Sequence, residues 1–157
     1  MLAISMVAAA LLAVIDQVIK YYVELNLKPI GFIELIKNFL YLDYTENTGV
    51  AFGLLKDMSW IYIPITVLGC LVLLFILIKY KNEIGLLGNS AVVLLIGGGV
   101  GNLIDRIRIG YVIDYIRVDF FKYIFNFADC CVVVGSVLLV LTVFLFDRKE
   151  RKQEEEA

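Results

Sequence analysis

The chain has 157 residues, a formal net charge of −2, three cysteines and no histidine. Its residues are 61% apolar and 19% charged, with a mean hydropathy of +0.88, whereas soluble domains are about 45–50% apolar and about 25% charged. Because so short a domain cannot bury that excess in one core, the composition predicts a membrane protein. The lack of histidine excludes Ser-His-Asp and Cys-His catalysis and most zinc sites, so no metal or cofactor is expected. The charge balance argues against nucleic acid as a partner.

Uncharged runs divide the chain into four candidate membrane segments. A helix needs about 20 apolar residues to cross a hydrocarbon core of about 30 Å. Two runs reach this length alone, and the first and last do so when their flanking residues are included. The sequence therefore predicts an all-α membrane protein, one integral membrane domain over 1–157 with four transmembrane helices. The expected spans are about 4–22, 59–79, 84–106 and 126–146. A cleaved signal peptide is disfavoured for the first run, because no basic segment precedes it.

The segment between the first two spans has a different pattern. Residues 28–57 are rich in aromatic side chains, broken by proline and glycine, and alternate in part between apolar and polar. This pattern favours short strands. Because an irregular polar backbone cannot lie in lipid, we expect a small extracytoplasmic β-sheet, a cradle, on the membrane surface.

The topology follows from the basic residues beside the spans. Four spans place both termini on one side, which carries six Lys and Arg residues against eight on the other, so the count alone does not decide the orientation. The six lie in short stretches next to the spans, as the positive-inside bias requires. We therefore expect both termini in the cytoplasm, with a charged, disordered tail at 148–157.

Three motifs place polar side chains at or near the spans, where they are costly and mark candidate functional sites. They are Asp16-Gln17-x-x-Lys20, Asn47-Thr48-Gly49-x-Ala51-Phe52-Gly53 and Gly97-Gly98-Gly99-Val100-Gly101-Asn102-x-x-Asp105-Arg106. Alone, the first is explained as an ion pair at a helix end and the second as a turn. Glycines four apart in the third let another helix approach closely. Packing does not explain the Asn, Asp and Arg that follow them.

Two further acids end the connection between the last two spans. Asp114 follows the third span and Asp129 opens the fourth, with Asn126 three residues before it. Since consecutive spans are joined on one side, this connection can bring the carboxylates together. Two adjacent carboxylates cannot both ionise cheaply, so one keeps its proton, and such a pair can activate water against an amide carbonyl. The equally weighted alternative is that each acid separately caps a helix or pairs with one of the nearby arginines 106, 108 and 117.

Taken in order, these motifs resemble those of the lipoprotein signal peptidases (signal peptidase II). The resemblance covers roughly residues 10–140 and includes Val112-Ile113-Asp114-Tyr115 and Phe125-Asn126-x-Ala128-Asp129. It implies an aspartic endopeptidase of the bacterial plasma membrane, with an extracytoplasmic β-cradle, that cuts prolipoproteins before a diacylglyceryl-modified cysteine. Two differences are mild: a tyrosine replaces the usual phenylalanine after the first acid, and Cys130-Cys131 is not a fixed family feature.

The resemblance also implies roles for individual residues. The catalytic pair corresponds to Asp114 and Asp129. The residues expected to support the site or bind substrate are Asp16, Lys20, Asn47, Gly49, Asn102, Asp105, Arg106 and Asn126. Among these, Asp16 is expected to hold the sheet, and Arg106 to bind the lipid ester or a substrate carbonyl.

Two other functions compete with the peptidase. A small channel or transporter would line an ion path with the polar residues of the third span, and it predicts charges at the midplane or an inverted repeat, which the sequence does not show. A purely structural membrane subunit would leave the two acids unexplained.

Overall fold

The computed structural model describes residues 2–49, 59–80, 82–121 and 123–155, the side chains of 59 and 147–155 excepted. Part of the predicted β region (50–57), with the Ala51-Phe52-Gly53 portion of its motif, lies outside these ranges. So do the last two residues of the tail.

Four helices make up most of the part of the chain that the structure describes. They are α1 (Leu2–Asn26), α2 (Ser59–Tyr80), α3 (Gly85–Arg108) and α4 (Phe127–Glu155). Each contains a stretch long and apolar enough to cross a membrane, which confirms the prediction of four spans. The prediction of a disordered tail is wrong for 148–155, because α4 continues to Glu155. This segment has no Pro or Gly to end the helix and consists mostly of good helix formers.

Helix α3 lies at the centre and packs against the other three helices. Its glycines permit close approach: a Cβ on Gly97 would lie 2.8 Å from the Cβ of Leu12 in α1, and one on Gly98 would lie 2.5 Å from the carbonyl oxygen of Ala128 in α4. In the most apolar window of each helix, at most 39% of the residues are buried inside the protein. Most apolar side chains therefore face outward, as expected for helices surrounded by lipid.

One antiparallel sheet accompanies the helices. Its strands, in spatial order, are β1 (Phe32–Ile36), β2 (Leu40–Asn47), β3 (Val112–Val118) and β4 (Ile124–Phe125). The sequence analysis predicted strands only between α1 and α2, but β3 and β4 come from the α3–α4 connection. The first four residues of β3 are all buried, so this strand lacks the alternation that reveals a half-exposed strand.

The sheet is held against the end of α1. Leu27, just after α1, forms a small apolar core with Ile113 and Tyr115 of β3, and Ile19 and Val23 of α1 pack against it. β3 begins four residues after α3 ends, with a turn at Gly110 (φ 84°). The start of β3 is thereby fixed beside the ends of α1 and α3.

Candidate active site

Asp114 lies in the buried first half of β3, with only 2% of its surface exposed. Its register partner in β2 is Thr45, and this pairing brings Asn47 close. Asn47 Nδ2 donates to Asp114 Oδ2 at 2.8 Å, and Asn126 Nδ2 donates to Asp114 Oδ1 at 2.6 Å. Burial, reinforced by the nearby charge of Asp129, raises the pKa of Asp114 to about 7. This carboxyl can therefore hold a proton near neutral pH.

Asp129 lies in the first turn of α4 and is partly exposed. Its backbone N–H donates to Asn126 Oδ1 at 2.9 Å, while Asn126 N–H donates to Asp129 Oδ2 at 3.2 Å. This reciprocal pair is a capping box, which satisfies two backbone donors at the helix start. The other carboxylate oxygen accepts from Asn102 Nδ2 at 2.8 Å.

The two acids share Asn126, whose side chain donates to Asp114 and whose backbone donates to Asp129. Sequence analysis left open whether the acids lie together or act separately, as helix caps or as partners of arginine. The structure brings them together, although Asp129 does also cap α4. Among the described residues no ion pair includes either acid, and Arg117 pairs instead with Asp43 at 3.0 Å.

A buried ionic cluster lies between α1 and α3, next to the acids. Lys20 is fully buried, and its Nζ lies 2.8 Å from Asp16 Oδ2, 2.8 Å from Asp105 Oδ2 and 2.9 Å from Asn102 Oδ1. These contacts use all three ammonium donors. Because Lys20 occupies the oxygen of Asn102, the amide NH₂ of Asn102 is directed to Asp129.

The acids of this cluster also hold the neighbouring elements. Asp16 Oδ1 accepts from the Ala128 N–H at 3.1 Å, so Asp16 holds the start of α4, and the expectation that it holds the sheet is wrong. That task falls to Asp105, whose Oδ2 accepts from the Ile113 N–H at 3.2 Å. Asp16 and Asp105 both contact Lys20 and differ in the backbone N–H that each accepts from. Sequence analysis could not tell which acid holds α4 and which holds the sheet. Gly101 leaves the required space, since a Cβ there would lie 2.7 Å from Asp16 Oδ2.

Arg106 is held at the edge of the site by other groups. Its Nη2 donates to the carbonyl oxygen of Gly49 at 3.3 Å, and its guanidinium carbon lies 5.2 Å from the centre of the Tyr62 ring. Gly49 is in turn held by its N–H, which donates to Asn47 Oδ1 at 3.0 Å. The amide of Asn47 thus contacts both Gly49 and Asp114.

Three contributors were not singled out from the sequence. Gln17 Nε2 donates to Asp105 Oδ1 at 2.8 Å and to the carbonyl oxygen of Gly101 at 3.1 Å, and its place in the first motif was the available signal. The hydroxyl of Tyr115 accepts from the Phe127 N–H at 3.2 Å. Nothing in the sequence distinguishes Tyr62 from other aromatic residues in the spans.

All ten residues proposed from the sequence are within this network. Within the described ranges, no three His, Cys, Asp or Glu side chains converge as around a metal ion. The arrangement offers a pair of adjacent carboxyl groups, one of them deeply buried and the other partly exposed. Such a pair is suited to acid–base chemistry on an amide.

Comparison with known proteins agrees with this chemistry. The family model of signal peptidase (SPase) II matches residues 8–145. The lipoprotein signal peptidase of Caldanaerobacter subterraneus is 42% identical over 135 residues, 86% of this chain and 92% of that protein. The Clostridioides difficile lipoprotein signal peptidase is also 42% identical, over 144 residues, 90% of this chain and 95% of that protein. A bacterial membrane enzyme solved by the in meso method aligns with a TM-score of 0.81 and 31% identity, covering 90% of this chain and 88% of that one. The chain therefore belongs to the signal peptidase II family and is a membrane aspartic protease.

Proposed function

We propose that this protein removes signal peptides from prolipoproteins by cutting before a diacylglyceryl-modified cysteine, and that Asp114 and Asp129 activate the attacking water. The name shared by its relatives indicates the substrate class, and the modified cysteine follows from the family resemblance. The observation that carries the catalytic part is the link between the two carboxylates through Asn126. Membership of a peptidase family favours this function over a channel.

The resting pair holds one proton, on Asp114. Asp114 is almost completely buried and has a pKa of about 7, and ionising both acids would put two negative charges side by side. Asp129 is partly exposed and accepts hydrogen bonds from Asn102 and from the Asn126 N–H. Asp129 is therefore the base that faces water, and Asp114 is the acid.

The reaction then needs no covalent intermediate. Asp129 takes a proton from water while the water oxygen attacks the scissile carbonyl carbon, and Asp114 gives its proton to the carbonyl oxygen. When the resulting diol collapses, Asp129 protonates the leaving amide nitrogen as the C–N bond breaks. A diol hydroxyl returns its proton to Asp114, which restores the starting pair.

The surrounding amides keep this pair in place. The buried ammonium of Lys20 fixes the oxygen end of Asn102, so the other end of that amide meets Asp129. Asn47, in β2, holds Asp114 in the same way, because its amide NH₂ donates a hydrogen bond to the Asp114 carboxyl group. Positioning of this kind matters because reacting groups must be held close to the productive geometry.

The site lies at one end of the helix bundle, where α3 ends, α4 begins and the sheet is attached. With both termini in the cytoplasm, this end is the extracytoplasmic one. The signal segment of the substrate is itself a membrane helix, so it reaches the site laterally from lipid. Its diacylglyceryl group fixes the depth and orientation of the scissile amide, and Arg106, already directed to a carbonyl at Gly49, is placed to bind the lipid ester or a substrate carbonyl.

The test is cleavage of a purified precursor in detergent micelles, with and without its diacylglyceryl group. We expect rapid cleavage of the modified form and very slow cleavage of the unmodified one, because positioning can contribute several kcal/mol, up to about 7–11 in favourable cases. Equal kcat/KM for both forms would contradict lipid-dependent positioning. Ion flux through liposomes without any cleavage would favour the channel instead.

A further inference from the structure

The start of α4 carries Asp129 and needs partners for its backbone donors. The first four N–H groups of an α-helix have no acceptor in the backbone of the helix. At α4, those of Asn126 and Asp129 bond within the capping box, and a third donates to Asp16 of α1. The fourth, the Phe127 N–H, donates to the hydroxyl oxygen of Tyr115 in β3 at 3.2 Å. Tyr115 thus joins the backbone of the first turn of α4 to β3.

The ring of Tyr115 is packed on all sides, so its hydroxyl has a fixed place. Tyr115 is 5% exposed and belongs to the small apolar core with Leu27 and Ile113. Burial raises the pKa of the Tyr115 hydroxyl above its ordinary value, so the group stays neutral and accepts through its oxygen. The family pattern usually has phenylalanine at this position, so this contact is a feature of the present chain.

Successive residues of β3 hold the start of α4 from two sides. Side chains alternate along a strand, so Asp114 and Tyr115 point to opposite faces of β3. On one face, Asp114 accepts from the Asn126 side chain at 2.6 Å. On the other face, Tyr115 accepts from the Phe127 N–H. Asp129 lies two residues farther along the same turn, about 3 Å along the helix axis, so its position relative to Asp114 depends on both contacts.

We propose that Tyr115 is a positioning residue for peptide cleavage, because its hydroxyl fixes the first turn of α4 and with it the place of Asp129 beside Asp114. This role rests on the proposed function, in which the two acids act together on one water and one amide. The Tyr115 side chain lies in the apolar core and acts through Asp129 instead of contacting the substrate. Removing its hydroxyl should therefore slow the chemical step and leave substrate binding unchanged.

Hydrogen–deuterium exchange at the start of α4 tests the contact without any cleavage. Tyr115→Phe removes the hydroxyl alone and keeps the ring in the core. Tyr44→Phe is the matched control, because Tyr44 packs against the same core and its hydroxyl donates to Glu46 of its own strand. We expect the Phe127 N–H to exchange faster in Tyr115→Phe and at the wild-type rate in Tyr44→Phe. Equal exchange in all three proteins would overturn the proposal.

Cleavage of the diacylglyceryl-modified precursor tests the role in the reaction. A misplacement of about 1 Å can cost about 100-fold in rate, so we expect the smaller shift in Tyr115→Phe to lower kcat about five- to tenfold, with KM unchanged. Tyr44→Phe should match wild type in both constants. An unchanged kcat in Tyr115→Phe would refute the positioning role, whereas a wild-type protein that leaves the precursor uncut would refute the proposed function itself.

The pH profile of kcat separates positioning from a smaller folded fraction. Charged side chains from three helices act on Asp114: Asp129 of α4, which raises its pKa, Lys20 of α1 and Arg106 of α3. Only Asp129 is held through Tyr115. In Tyr115→Phe a more distant Asp129 lowers the pKa of Asp114, and the alkaline limb of the profile moves to lower pH. A profile of wild-type shape and reduced amplitude would show only a loss of folded enzyme and would contradict the proposal.

Discussion

Replacing Asp114 by asparagine should remove a pH-dependent loss of stability. The pKa of Asp114 is raised from 3.8 to about 7, chiefly by burial. Because the folded-state pKa lies above the unfolded one, the folded protein binds more protons between the two values. The stability contribution of this group is thus complete below about pH 4 and is lost as the pH rises to about 7. At about 1.36 kcal/mol per unit, the full loss is about 4 kcal/mol.

The variant adds a constant cost that does not depend on pH. Asparagine replaces one carboxylate oxygen by an NH₂ group, so either Asn47 or Asn126 then faces a donor, and this buried donor loses its partner at a cost of about 1–3 kcal/mol. Asp114→Asn should therefore be less stable than wild type in acid. Between about pH 5 and pH 8 it should gain about 2–3 kcal/mol relative to wild type.

The assay is thermal unfolding in detergent at both pH values. The control, Asp119→Asn, removes an exposed carboxylate directly after β3 that lies outside the network around Asp114 and Asp129. We expect the Tm difference between Asp114→Asn and wild type to move in favour of the variant as the pH rises, and the control to follow wild type. If Asp114→Asn and wild type have parallel Tm profiles, Asp114 is not a buried acid with a raised pKa.

Three further predictions concern packing, cysteine chemistry and topology. Gly101→Ala should lower the free energy of unfolding by roughly 1–3 kcal/mol and reduce cleavage, because the new Cβ would lie 2.7 Å from Asp16 Oδ2. Gly69→Ala is the control: no atom lies within 4 Å of its new Cβ, so it should have little effect in the same unfolding and cleavage assays. Replacing all three cysteines by alanine should leave most activity, since no histidine is present to activate a thiol; stoichiometric inhibition by a thiol reagent that vanishes in this variant would show otherwise. In that cysteine-free background, a cysteine at Asn82 should resist an impermeant label in intact cells and one at Lys56, outside the described residues, should react; the reverse pattern would invert the topology.

The helices and the pairing of Asp114 with Asp129 were accessible from sequence because each leaves a local signal. Span length is a property of uncharged runs, and acids beside spans are conspicuous because lipid penalises them. The connection between Asp114 and Asp129 joins two neighbouring helices, so chain connectivity alone allowed the two acids to meet.

The strands and the partners of each polar group were less accessible. β3 is buried at its start, so its pattern does not alternate. Asp16 accepts a hydrogen bond from α4, and Asp105 accepts one from β3. This assignment depends on how the two carboxylates are oriented in three dimensions around the Lys20 ammonium. The contact of Tyr62 with Arg106 crosses from α2 to α3, and no spacing in the sequence encodes it.

Cleavage of a diacylglyceryl-modified precursor by Asp114→Asn and Asp129→Asn tests the central claim most directly. Asparagine is nearly isosteric with aspartate but can neither carry the shared proton nor act as a base. At protein levels and thermal unfolding profiles that show intact folding, both variants should lose cleavage, while Asp119→Asn should retain it. Activity near the wild-type level in either Asp114→Asn or Asp129→Asn would contradict the two-carboxylate mechanism.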